Sequence, residues 1–193
     1  MSEILVQCQS LVAGWGKPAT PAFDLVLRAG EIVGLTGPNG IGKSTLLSAI
    51  AGRARVFSGR LEIRAGLQLA LQTQDVPPLE GLPLSGRELL AMTGAEARAL
   101  PVWLADRLDW RLDRLSGGQR HYLALWAVMM APANVILLDE PTNNLDAAGS
   151  THLSQIVRQL AGEGRTILLV SHDADFVAAA CDRVQHLETT DVV

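Results

Sequence analysis

From Ile4 to Leu11 apolar residues fall at 4, 6, 8 and 11 with polar ones between, the alternation of a half-buried strand. Phe23 to Leu27 predicts a second strand. It leads through Arg28-Ala29-Gly30-Glu31 into Ile32-Val33-Gly34-Leu35, an apolar run suited to a buried strand, and Leu46 to Ala51 then suits a helix. Gly52 to Gly59 reads as a turn-rich connection, followed by a hairpin of Leu61-Glu62-Ile63 and Leu67 to Leu71 around Ala65-Gly66. Prolines at 77, 78 and 83 stiffen the next loop. The pattern turns helical from Ser85, with Leu89, Leu90 and Met92, and again over Val102 to Leu108. These short helices do not alternate with strands, so they predict a small helical subdomain at about 83–114 inserted in the rest. Leu115 to Gln119 opens a helix through about Ala131, stopped by Pro132, whose body is apolar on every side and therefore buried all round. Asn134 to Leu138 and Thr166 to Val170 are continuous apolar strands of the kind found inside a parallel sheet. Helices from Asp146 to about Ala161 and near Asp175 to Ala180, with a last strand near Val184 to Leu187, complete the pattern.

This order of elements predicts an α/β fold with a mixed, mostly parallel sheet and an N-terminal antiparallel β subdomain. At 193 residues the chain holds one domain, spanning 1–193. Apolar residues make up 48% and charged residues 19%, which excludes a disordered chain. Sixteen basic and twenty acidic residues give a net charge of −4 without a basic block, so no nucleic-acid partner is expected. Cys8 and Cys181 lack the paired spacing of a zinc site and read as reduced structural cysteines. The N-terminus has no signal-peptide pattern, and the longest apolar run, Tyr122 to Ala131, is about half a membrane span. A cytoplasmic chain is expected, reaching a membrane only through a partner.

Between the strand ending at Leu35 and the helix beginning near Leu46 stands Gly37-Pro38-Asn39-Gly40-Ile41-Gly42-Lys43-Ser44-Thr45. Glycines there let the backbone N–H groups curl inward, so that they and the positive end of the next helix hold phosphate oxygens. Lys43 is placed for the β- and γ-phosphates and Ser44 for Mg²⁺. Asp139 and Glu140 directly follow a buried strand, where two acids are costly unless something positive meets them. Asp139 suits Mg²⁺ through water, with a helix N-cap as its structural alternative, and Glu140 suits an attacking water. His172, at another strand end, offers a ring nitrogen to a γ-phosphate. Trp15, between glycines, is either a core residue at a strand end or an exposed ring for stacking a base.

With these motifs in order, the chain resembles the nucleotide-binding domain of ABC-type ATPases, a phosphate-loop NTPase core, over nearly its whole length. The Walker A loop Gly37 to Thr45 and Walker B segment Val135 to Glu140 are shared with other phosphate-loop ATPases; Leu115-Ser116-Gly117-Gly118-Gln119, ahead of Asp139, is particular to this family. The resemblance implies ATP and Mg²⁺ as cofactors. It gives Trp15 adenine stacking, and it gives Gln74 the sensing of Mg²⁺ and γ-phosphate, with Gln72 as the competing choice. Ser116, Gly117, Gly118 and Gln119 would cap the ATP of a second such domain in a head-to-tail homodimer, and Asp146 would communicate across it. The helix after the signature lacks the arginine the family often carries near position 127, which implies a local repacking.

The function implied is the ATP-hydrolysing subunit of a membrane transporter with a separate permease, acting at the inner membrane face. Pro83-Leu84-Ser85 is similar to metal-ion importers of zinc and manganese type. The run Asp139 to Asp146 also resembles soluble ABC proteins that act on ribosomes, which single-domain length and negative charge oppose.

Overall fold

A computed structural model describes residues 2–73 and 83–188. Gln74 and the prolines at 77 and 78 lie outside the described residues. Among the described residues, eight strands form two sheets. β1 (Ile4–Gly14), flanked by β2 (Phe23–Arg28) and β4 (Arg55–Ile63), makes a three-stranded antiparallel sheet in the order β2-β1-β4. β5 (Leu69–Gln72), β6 (Val135–Asp139), β7 (Thr166–Val170), β3 (Ile32–Thr36) and β8 (Arg183–His186) make the second, in that order. Every pairing described in it is parallel.

The central strands β6, β7 and β3 are buried on both faces, and their alternating residues feed two different cores. Ile136, Leu138, Ile167 and Leu169 pack with Trp126, Leu153 and Val157 on one side. Val135, Leu137, Leu168 and Val170 pack with Leu46, Leu47 and the antiparallel-sheet residues Val6, Leu11 and Leu25 on the other. A continuous apolar run is what such a strand requires, because neither face meets water. Helix α1 (Lys43–Ile50) covers the second face together with the small sheet. Helices α4 (Gly117–Met129), α5 (Ala147–Gly162) and α6 (Ala174–Ala180) cover the first, and α2 (Gly86–Thr93) and α3 (Val102–Ala105) pack against α4.

The turn-rich connection and hairpin read from residues 52–71 are not what forms. Arg55 to Ile63 is one strand pairing back on β1, and Leu69 to Gln72 joins the other sheet beside β6. Gly59 explains the misreading: with φ at 77° it sits opposite an irregular register near Gln9 and Ser10, so it is a bulge inside a strand and not a chain reversal. The helix after the signature ends at Met129, a residue or two early, and its apolar body from Tyr122 is buried except on the side of Ala124 and Val128. Asp139 caps no helix; it is the last residue of β6, and Asp146 is the cap of α5, accepting from Gly149 N–H at 2.8 Å.

One residue joins the sheets, and a second contact set folds the loop after β1. The Thr166 hydroxyl, fully buried, donates to Arg28 O and accepts from Gly30 N–H, so the first residue of β7 holds the β2–β3 turn. The loop after β1 folds back, with Ala19 N–H on Ala13 O and Ala13 N–H on the Thr20 hydroxyl.

Candidate functional site

The phosphate loop joins β3 to α1. Gly42, at φ 103°, is the N-cap residue of α1, and no side chain caps the helix or places an acid in its first turn. Its first N–H groups and positive dipole end thus face the loop, the arrangement that favours an anion. Two glycines are required by space as well as by φ. A Cβ on Gly42 would stand 2.7 Å from Ala19 O and from the Thr20 methyl, and one on Gly37 would stand 2.5 Å from Leu187 O. Lys43 is buried, and its Nζ donates to Gly37 O at 2.8 Å and Pro38 O at 2.9 Å, which holds the amine at the loop's mouth.

Facing the loop are the ends of β6 and β7. Glu140, the first residue past β6, has φ of 53°, a conformation costly for a non-glycine residue, and its N–H donates to Val170 O. That bend turns its carboxylate toward His172: Oε2 accepts from His172 N–H, and Oε1 lies 3.2 Å from His172 Nε2. Together with Asn39, Gly40, Gly42, Lys43, Ser44, Thr45 and Asn143 they line one cleft of about 520 Å³. Thr142 and Ser171 share a hydrogen bond of 3.1 Å, and Ser171 Oγ also accepts from Asp173 N–H, so the two loops are fastened just behind Glu140 and His172.

Asp139 is buried at the end of β6, and its N–H donates to Gln72 Oε1 at 3.1 Å. Gln72, also buried, donates its amide to Thr73 O. Its carboxamide is thus occupied in fastening β5 to β6. A hydroxyl at 44 and carboxylates at 139 and 140 are hard oxygen donors, a set that fits Mg²⁺ better than a softer metal.

Ser116 caps α4 in a capping box: its Oγ accepts from Gln119 N–H, and Gln119 Oε1 accepts from Ser116 N–H at 2.9 Å. Gly117 and Gly118 are exposed, with open space beside both. Among the described residues, none that lines the phosphate-loop cleft lines the separate cleft bounded by Ser116, Gly118 and Gln119. Within one chain, then, the signature and the phosphate loop are apart. Trp15 is 65% exposed, which removes the core alternative, and it too is absent from the phosphate-loop cleft. Sequence reasoning missed Thr142, Asn143 and Ser171. Their hydroxyl and amide groups carry no signal of their own beside an acid and a histidine.

A parallel sheet whose strand ends meet a glycine loop at a helix N-terminus defines a phosphate-loop NTPase. The ABC transporter family model matches residues 22–80 and 87–143, and the chain belongs to that family. Within it the chain is an ATP-binding subunit, an ATPase coupled to transport. It is 32% identical over 191 residues to the zinc import ATP-binding protein ZnuC of Marinobacter nauticus, covering 95% of this chain and 74% of that one. Among solved structures it superposes on an inward-facing, putative metal-chelate type ABC transporter with TM-score 0.78 at 24% identity, covering 96% of this chain and 80% of that one. It also superposes on the RNase-L Inhibitor with TM-score 0.81 at 26% identity, covering 96% of this chain and 37% of that one.

Proposed function

We propose that this chain hydrolyses ATP in the cleft between Lys43, Ser44, Glu140 and His172, and that the energy drives import of a metal ion through a separate permease. The observation that carries the hydrolytic reading is that one cleft gathers an amine, a hydroxyl, a carboxylate and an imidazole around a helix N-terminus. The α1 N–H groups and Lys43 hold the phosphates, and Glu140, paired with His172, orients water for in-line attack at the γ-phosphorus. His172 faces the transferred phosphoryl group, and Trp15 supplies a flat surface for adenine. Ser44, Asp139 and Gln74 would hold Mg²⁺, which when bound neutralises phosphate charge. Because Ser116 and Gly118 lie on another surface, the signature serves the ATP of a second copy, head to tail. The metal cargo rests on the zinc import relatives, and work at the inner membrane face through a permease rests on the family. No helix among the described residues is long and apolar enough to cross a membrane. A second reading, a soluble ABC protein acting on the ribosome, rests on the likeness to the archaeal ribosome recycling factor aABCE1 in complex with ribosomal stalk protein aP1, at TM-score 0.77 and 27% identity over 96% of this chain and 37% of that one.

Glu140→Gln should lower phosphate release by about 10²–10⁴-fold, the range for loss of a general base, and still bind ATP. Lys43→Ala should lose ATP binding. Turnover near wild type in the first variant, or undiminished nucleotide affinity in the second, would refute the assignments. Affinity purification from native membranes should recover a permease; recovery of ribosomal proteins in its place would favour the second reading.

A further inference from the structure

Four rings from three helices stack between α4 and α5. Trp103 of α3 meets Tyr122 edge-on at 5.3 Å, Tyr122 lies over Trp126 at 5.9 Å, and Trp126 lies over His152 of α5 at 6.0 Å. The stack is closed by a hydrogen bond of 2.8 Å between Tyr122 Oη and His152 Nδ1. Tyr122 and Trp126 are almost fully buried, so the rings have little freedom to reorganise. Burial raises the Tyr122 phenol to about 12, so it keeps its proton, and it donates to Nδ1 when the imidazole proton is on Nε2.

The position of this bond gives it meaning. Tyr122 is six residues into α4 from the cap Ser116, and His152 is six residues into α5 from the cap Asp146. Each stands about 9 Å below its helix N-terminus, so the bond clamps both helices at equal depth. Between the two N-termini lies a cleft of about 540 Å³, with Trp103, Ser116, Gln119, Asn144, Asp146 and His152 on its walls.

We propose that Tyr122 and His152 are positioning residues that hold the signature end of α4 and the Asn144–Asp146 turn as one rigid surface for a second, ATP-loaded copy of the chain. This rests on the reading that the signature acts in trans. Neither residue lines the phosphate-loop cleft of its own chain, so the bond acts on the meeting of copies and not on nucleotide affinity within one.

The test places Tyr122→Phe, which removes one oxygen and keeps the ring, in the Glu140→Gln background. ATP-dependent dimer formation is followed by light scattering, and binding of a fluorescent ATP analogue is followed on dilute monomer. Half-saturating ATP for dimerisation should rise about fivefold, the loss expected for one part-buried hydrogen bond, while monomer affinity stays within about twofold. His152→Phe should act similarly, and the double variant should be no worse than either single. Unchanged dimerisation in Tyr122→Phe, an equal loss of monomer affinity, or additive effects of the two substitutions would each overturn the proposal. Failure of Glu140→Gln itself to dimerise with ATP would instead remove the two-copy reading, and the clamp with it.

Discussion

Glu140 shows how one residue's backbone sets a site's chemistry. Its left-handed φ costs about 1–2 kcal/mol for an L-residue, and the carboxylate recovers part of that through the His172 N–H. A second carboxylate carries a prediction about pH. Glu163, at the end of α5, accepts from Arg98 and from Gln159, and these bonds hold its pKa down at about 2. A carboxyl depressed in the folded state stabilises fully above its unfolded value, near 4.5, and that stabilisation fades as pH falls toward 2. Glu163→Gln should therefore cost under about 1 kcal/mol at neutral pH, because solvent screens this half-exposed pair. Chemical denaturation should show the difference vanishing near pH 2. At this scale the phosphate loop, Glu140 and His172 were legible because their spacing on strand ends carries their chemistry. The Glu140 bend and the Thr142–Ser171 bond were not, since neither a dihedral nor a contact across 29 positions leaves a local pattern.

Among elements, the buried strands were legible from their apolar runs, whereas β4 and β5 were not. Both look like partners in a hairpin because they are neighbours in sequence, yet each finds its partner in a different sheet, β1 some 50 residues back and β6 some 65 ahead. Gly59 is where that topology depends on a single residue. A Cβ there would stand 2.1 Å from Ser10 O and 2.5 Å from Gln9 O, at a φ that L-residues avoid. Gly59→Ala should cost on the order of 3 kcal/mol, as overpacking and left-handed strain combine, and urea denaturation would measure it. An exposed glycine such as Gly52, with open space around it, should cost less. The C-terminus of α4 is finished from a distance: Arg165 donates to Met129 O and Ala131 O, a cap supplied by the start of β7 that helix-end signals in the sequence do not reveal.

For the whole molecule, the signature and the phosphate loop line different clefts, and on the proposed reading each would be one half of a site. If the halves join head to tail, variants broken in different halves should rescue each other. Lys43→Ala and Ser116→Arg should each be inactive alone. An equimolar mixture should regain about a quarter of wild-type turnover, because roughly half of its dimers are mixed and each of these has one intact site of two. No recovery in a phosphate-release assay would contradict the shared-site arrangement. The α/β fold, with its parallel sheet and N-terminal antiparallel sheet, was legible at this scale, but the seat of the loop after β1 was not. That loop packs on Gly42 through Ala19 and Thr20, and it also carries Trp15, so the indole and the glycine loop are tied to each other. If Trp15 stacks the base, such a frame would work as a ruler, gauging the span from ring to terminal phosphate, with a flat indole that reads no base edge. GTP should therefore replace ATP in dimerisation assays far better than ADP does, because stacking tolerates either purine while the length between the two fixed ends tolerates no missing phosphate.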